Sequence, residues 1–201
     1  MTTVLFIAIC GESGAGKSTT TRLLADAGFE AFSLSAILRR EAEATHGNPT
    51  RAQVQAHGRN MQAAHGNDYY ARRLVETTGL MSSTRAVIDG MRNPDEVAFL
   101  RDRAAETGAE LRLLALVLDA EMRFRRVTGR ARAGDPVGME QFADDDARAN
   151  GAEGDFQNNR ALIEIADWRI ENTDDVETLA ARLNALIAGV TGRKPVEGEP
   201  L

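Results

Sequence analysis

A chain of 201 residues, 43% of them hydrophobic, is long enough to bury one core and is read most simply as a single domain over residues 1–190. The formal net charge of -6 excludes a surface coated for nucleic acid or an anionic membrane, although 22 unevenly spread arginines leave room for a local basic groove. The single cysteine, Cys10, has no internal disulfide partner, and no run approaches the roughly 20 apolar residues of a membrane span.

The opening MTTVLFIAIC has no basic n-region and runs straight into glycines, so it reads as a strand and not a signal peptide, and a cytoplasmic location is expected. Residues 4–10, 86–89 and 111–118 are nearly continuous apolar runs, the pattern of strands covered on both faces, with Cys10 as a buried strand residue. Residues 30–34 and 168–171 are shorter strand candidates, Trp168 being read as core. Between them lie helices with legible starts. Asn93, Pro94 and Glu96 form a cap, first turn and capping box, Thr50 and Gln53 repeat the device, and Gly108 ends the helix that Asn93 opens. Strands alternating with helices predict an α/β fold with a parallel, doubly wound sheet. Residues 39–79 are helical throughout and longer than a crossover needs, which predicts a helical flap. Residues 136–155, glycine-bearing and acidic, are read as a mobile insertion without a strand, and 191–201 as a frayed tail.

The segment GESGAGKS matches G-x-x-x-x-G-K-[ST] at Gly11, Gly16, Lys17 and Ser18, between a buried strand and a helix. Glycines let backbone N–H groups turn toward an anion, and the helix N-terminus adds positive potential. Lys17, one of only two lysines, is a compact charge on a long stem that reaches β- and γ-phosphates where a planar guanidinium does not fit. Ser18 supplies a hydroxyl for Mg²⁺. The loop is read as a nucleotide-phosphate site. A GTP switch is disfavoured by the lack of an N-K-x-D guanine reader, and a motor by the short chain.

After the strand ending in Asp89 come Gly90 and Arg92. A carboxylate there can orient Mg²⁺ or take a proton from an attacking hydroxyl, and Arg92 can fork onto an acceptor phosphate. Downstream, EMRFRRVTGRARAGDP places Arg123, Arg126 and Arg130 on one helical face, with Arg132 following; they read as a lid for phosphoryl transfer, spanning about residues 123–155. Arg148 is a weaker lid candidate.

The combination of strand–GESGAGKST, VIDGMRNPDEV and RFRRVTGRARAGDP resembles the P-loop kinases of the nucleoside-monophosphate-kinase type, closest to the deoxynucleoside monophosphate kinase and dephospho-CoA-kinase-like group. The resemblance spans residue 3 to about 190. It implies a five-stranded parallel core of order 2-3-1-4-5, a helical acceptor-binding region at about 36–80, and a lid closing over ATP. Carried over, Gly11, Ser13, Gly14, Ala15, Gly16, Lys17, Ser18 and Thr19 would hold ATP phosphates and Mg²⁺. Asp89 would stand in the outer shell of the metal near the acceptor. Arg126, Arg130 and Arg132 would be lid arginines, and Asn172 of IENTDD would lie near the adenine.

On the acceptor side, relatives of this group often carry S-L-S-D-x-x-R; here Ser33, Ser35 and Arg39 stand but Ala36 replaces the aspartate, and Gln62 replaces a common arginine. An acid and a base lost together leave no unpaired buried charge. Ser35, Arg39, Arg72 and Arg92 are the candidate acceptor contacts, with Arg40 and Arg73 as further candidates. His57 and His65, eight apart without cysteines nearby, are not read as a metal site. Of Tyr69 and Tyr70, one is expected in the core. Three functions remain open: an ATP-dependent kinase of a small nucleotide, a kinase of a hydroxymethylated base in DNA, and a nucleotide-binding regulatory module. The expected ligands are ATP and Mg²⁺, with no membrane partner and a monomer or homodimer.

Overall fold

Strand β1 (Leu5–Gly11) is buried along its whole length, and its side chains divide by turns between two apolar clusters. Phe6, Ala8 and Cys10 enter one cluster and Leu5, Ile7 and Ile9 the other. A strand with no polar face is stable only in the middle of a sheet covered on both sides. The computed structural model, which describes residues 4–130, 135–136, 138–151 and 157–192, places β1 in that position.

The other strands are β2 (Glu30–Ser33), β3 (Arg85–Asp89), β4 (Glu110–Val117) and β5 (Trp168–Glu171). All pairs are parallel and the order is β2-β3-β1-β4-β5, as the family resemblance implied. The register sets Ala8 between Ile88 and Leu113, and Ser33 beside Asp89. The strands therefore end together, and the loops that follow β1, β2 and β3 share one edge of the sheet. Ligands of open α/β sheets bind at that edge.

Helices α1 (Lys17–Asp26) and α9 (Val176–Thr191) cover one face through Leu24, Leu179, Leu183 and Ile187. The opposite cluster draws Leu34 and Leu38 from α2 (Leu34–His46), Tyr70 and Leu74 from α4 (Tyr69–Thr77), and Leu100 from α5 (Pro94–Glu106). Between α2 and α4 lies α3 (Arg51–His65), so the expected helical flap is a three-helix layer. Both capping boxes form, at Thr50–Gln53 and Asn93–Glu96, and Gly108 follows α5 with φ +74°. Of the two tyrosines, Tyr70 is the core residue.

After β4 come α6 (Ala120–Arg130) and α7 (Met139–Ala149), then α8 (Asn159–Glu164). The helix α7 stands within the stretch expected to be a mobile insertion without a strand. Its acidic run hid a single buried anchor: Phe142 is buried and packs at 5.5 Å from Phe124 of α6, while Asp146 pairs with Arg123. Phe142 and the Asp146–Arg123 pair anchor a helix that otherwise carries alanines, polar residues and the exposed Met139, a pattern too sparse for periodicity to reveal. The tail beyond residue 192 lies outside the described residues.

Candidate phosphate-binding site

The loop after β1 turns back on itself and ends at Gly16, which precedes the first residue of α1 with φ +106°. A Cβ at Gly16 would stand 2.2 Å from Asn172 Nδ2, so only glycine fits. Asn172 follows β5; its side-chain amide donates to Ala15 O at 2.9 Å and its backbone N–H to Val117 O at 2.9 Å. The loop is thus braced against the exit of the sheet.

Lys17 Nζ donates to Gly11 O at 2.6 Å and Glu12 O at 2.9 Å, which sets the ammonium inside the curl of the loop. Burial pushes its pKa down to about 8; the charge of Asp89 opposes that shift, while Arg92 and Arg130 add to it. Groups from the end of β3, the loop after it, and the end of α6 therefore all act on one ammonium. Ser18 and Ser13 are exposed beside it, and Thr19 is half-buried.

A cavity of about 470 Å³ opens over this loop. Its floor is the loop from Ser13 to Thr19, one wall is Arg126 and Arg130 of α6, and the other is Asn172 with the Asp174–Val176 turn that opens α9. Arg126 has no ion pair among the described residues, whereas Arg130 forks onto both oxygens of Asp135 at 2.9 and 2.8 Å. Arg123 departs from the expected common face. It is 3% exposed and lies behind the loop, paired with Glu12 and Asp146, because two carboxylates of distant segments meet it there. Arg148 pairs with Asp145 at 2.5 Å. Arg132 lies outside the described residues.

On the other side of Lys17, Asp89 accepts from its neighbour Gly90 N–H at 2.8 Å. Gly90 has φ +91°, and a Cβ there would come 2.7 Å from Ser35 Oγ, so the start of α2 presses directly on this turn. Arg92 Nη2 donates to Ser35 Oγ at 3.3 Å. The backbone of Arg92 is fixed at both ends: its N–H donates to Glu96 Oε2 at 2.7 Å, and its carbonyl accepts from Asn158 N–H at 2.7 Å. Arg39, exposed, donates to Ser35 O at 3.3 Å, and its charge acts on Arg92. Ser35, Arg39, Asp89 and Arg92 therefore converge.

Arg72 does not join them. It pairs with Asp68 one turn earlier and donates to His65 O at 2.5 Å, closing the α3–α4 junction. Arg73 is likewise held, by Glu41 at 3.0 Å and Glu76 at 2.8 Å, and Arg40 donates to Thr77 Oγ1 at 3.3 Å. Gln62 is buried, donates to Asn67 O at 2.9 Å and leaves Oε1 without a partner among the described residues, while Ala36 is exposed and its N–H is capped by Ser33 Oγ. His65 stacks on Tyr69 at 5.2 Å, and His57 stands edge-on to His46 at 6.0 Å. Glu12, Asp146 and Asn150 were not legible from the chain, since Asn150 reaches Glu12 at 2.7 Å across 138 positions. Glu96 was visible only as a helix cap.

A family model described as "AAA domain" matches residues 6–151. Among curated relatives, a UPF0200 protein of Pyrobaculum aerophilum is 30% identical over 136 residues, covering 68% of this chain and 72% of its own. The chain belongs to both of these families. A UPF0200 protein of Hyperthermus butylicus is 26% identical over 94% of this chain and 96% of its own. Two solved structures share the fold. The Mycobacterium tuberculosis APS kinase CysC, in complex with AMPPNP and APS, aligns with a TM-score of 0.55 at 18% identity over 93% of this chain and 99% of its own. The shikimate kinase of Aquifex aeolicus aligns with a TM-score of 0.55 at 14% identity over 92% and 97%. Among the described residues no helix is long and apolar enough to cross a membrane.

Proposed function

We propose that the protein is an ATP-dependent phosphotransferase of the nucleoside-monophosphate-kinase type, moving the γ-phosphate to a nucleotide or nucleotide-like acceptor, with a (deoxy)nucleoside monophosphate favoured. The observation that carries this reading is the meeting at Lys17 of two half-sites: the cavity with Arg126 and Arg130 on one side, and Asp89 with Arg92, Ser35 and Arg39 on the other. The likeness of fold to kinases of small acceptors supports it.

In this scheme the amides of residues 12–18 and the ammonium of Lys17 hold the β- and γ-phosphates, and Asn172 keeps the loop in shape. Arg126 and Arg130 neutralise charge on the transferring group, for which Arg130 exchanges Asp135 for phosphate. Arg92, fixed through its backbone, and Arg39 orient the acceptor beside Ser35. The acceptor's phosphate oxygen forms the new P–O bond as the bond to the leaving ADP breaks, with Asp89 beside it in the outer shell of the metal; were the acceptor a hydroxyl, Asp89 would accept its proton. The donor set fits Mg²⁺: an exposed Ser18 hydroxyl stands at the helix start, and the Asp89 carboxylate is near enough for its charge to act on Lys17 of the same loop. Ser18, phosphate oxygens and water would hold the ion, which supplies charge neutralisation when bound.

A second reading, a nucleotide-binding regulatory module, is favoured by the internal pairing of Arg72 and Arg73, which thins the acceptor side of free cations. ADP release from Mg-ATP decides between them, screened against nucleoside monophosphates, dephospho-CoA and hydroxymethylated DNA. Stimulation by a nucleotide supports the kinase reading, and stimulation by the DNA reassigns the acceptor. Silence with ATP still bound leaves an acceptor outside the panel or the regulatory module.

A further inference from the structure

Arg123 carries a full charge, yet it is buried and does not line the phosphate cavity. Its Nη1 and Nη2 fork onto Asp146 of α7 at 2.6 and 2.8 Å, and its Nε donates to Leu118 O at 3.0 Å. The same guanidinium stands 3.2 Å from Glu12 Oε2, and Nη1 reaches Ser13 O at 3.4 Å. Glu12 and Ser13 belong to the phosphate loop. The second oxygen of Glu12 accepts from Asn150 Nδ2 at 2.7 Å, just past the end of α7. The Phe142 ring lies 5.3 Å from the guanidinium.

One buried cation is therefore shared between a carboxylate of the loop and a carboxylate of α7. Its contact with Ser13 O also has a directional effect. The Ser13 carbonyl and the Gly14 N–H belong to one planar trans peptide and point opposite ways. Holding the carbonyl toward Arg123 aims the Gly14 N–H away from it, and Gly14 lines the phosphate cavity. The α6 backbone seals this arrangement, since a Cβ at Gly14 would lie 2.6 Å from Arg123 O.

We infer that Arg123 is a positioning residue that holds the Glu12–Ser13 segment of the phosphate loop in its anion-binding shape, with α7 fixing Arg123 through Asp146, so that nucleotide affinity depends on α7 residues that never touch nucleotide. This rests on the phosphate-loop reading above. Asp146 carries the test because it contacts only the guanidinium side of the network.

Isothermal titration with MgADP tests the inference on the full chain. Asp146→Asn is expected to weaken MgADP binding about tenfold, Asn150→Ala by less, and Asp146→Glu to restore most of the affinity. Asp144→Asn, at an exposed position of the same helix, leaves the affinity unchanged. Combining Glu12→Gln with Asp146→Asn costs less than the product of the two single losses, since both act through one guanidinium. Thermal midpoints measured alongside separate the roles. An Asp146→Asn protein that melts earlier but binds MgADP as tightly as the parent overturns the inference, as does an equal loss in Asp144→Asn. A parent chain that fails to bind MgADP overturns the phosphate-loop reading itself.

Discussion

Glu96 offers a test that needs no substrate. Its side chain is fully buried, Oε2 accepts from the N–H groups of Arg92 and Asn93 at 2.7 and 3.1 Å, and Oε1 has no partner among the described residues. Burial raises its pKa from 4.5 to about 7, against the two N–H bonds and the charge of Arg92, which favour the ionised form. The folded value lies above the unfolded one. Stability from this group is thus complete below about pH 4.5, declines as pH rises through the interval, and is gone above about pH 7. At 1.36 kcal/mol per unit, the change between pH 5 and 8 is about 2–3 kcal/mol. Glu96→Gln keeps an oxygen for the two N–H groups but has nothing to ionise. Its amide NH₂ adds a buried donor, a roughly constant cost of about 1–3 kcal/mol, so the slope with pH is the readout and not the offset. Urea unfolding followed by circular dichroism at pH 5, 6, 7 and 8 should show the parent losing about 2–3 kcal/mol more than the variant across that range. Parallel profiles would refute the account of a buried, proton-holding carboxyl beneath Arg92.

Lys17→Ala should nearly abolish turnover in the ADP-release assay while leaving the circular dichroism spectrum unchanged; near-parental rates sink the transfer scheme. Asp89→Asn should lower kcat by about 10²-fold or more with the KM for ATP nearly constant, as for loss of a carboxylate that acts on the attacking group, and a rise in that KM alone would make Asp89 a metal-site support. Gly16→Ala forces an L-residue to φ +106° and drives a Cβ onto Asn172 Nδ2. The left-handed strain of about 1–2 kcal/mol and the lost Asn172–Ala15 bond of about 1 kcal/mol should lower the unfolding free energy by about 2–3 kcal/mol and abolish MgADP binding; a parent-like midpoint and affinity contradict that geometry.

The parallel sheet and the phosphate loop were legible because their signals are local. A central strand must be apolar on both faces, so residues 4–10 read as one stretch, and the loop needs glycines and a lysine at fixed offsets. Both capping boxes were legible for the same reason: a cap is a contact across three residues. The roles of the arginines were not. Arg123 and Arg126 are three apart on one helix, yet one is buried behind the loop and the other lines the cavity. Arg73 was open to an acceptor role, and the carboxylate that holds it, Glu41, stands 32 positions away.

What the chain decided alone is the set of backbone conformations: strand, glycine turn, helix start and the alternation that makes the sheet parallel. These follow from sterics and from bonds between neighbours. Which charges remain available for chemistry was decided only by the tertiary structure. An arginine is taken up by whichever carboxylate the fold brings within about 3 Å, and Glu12 meets Asn150 across 138 residues. The same folding that sets Asp89 and Arg130 on Lys17 also withdraws Arg123 into the brace behind the loop.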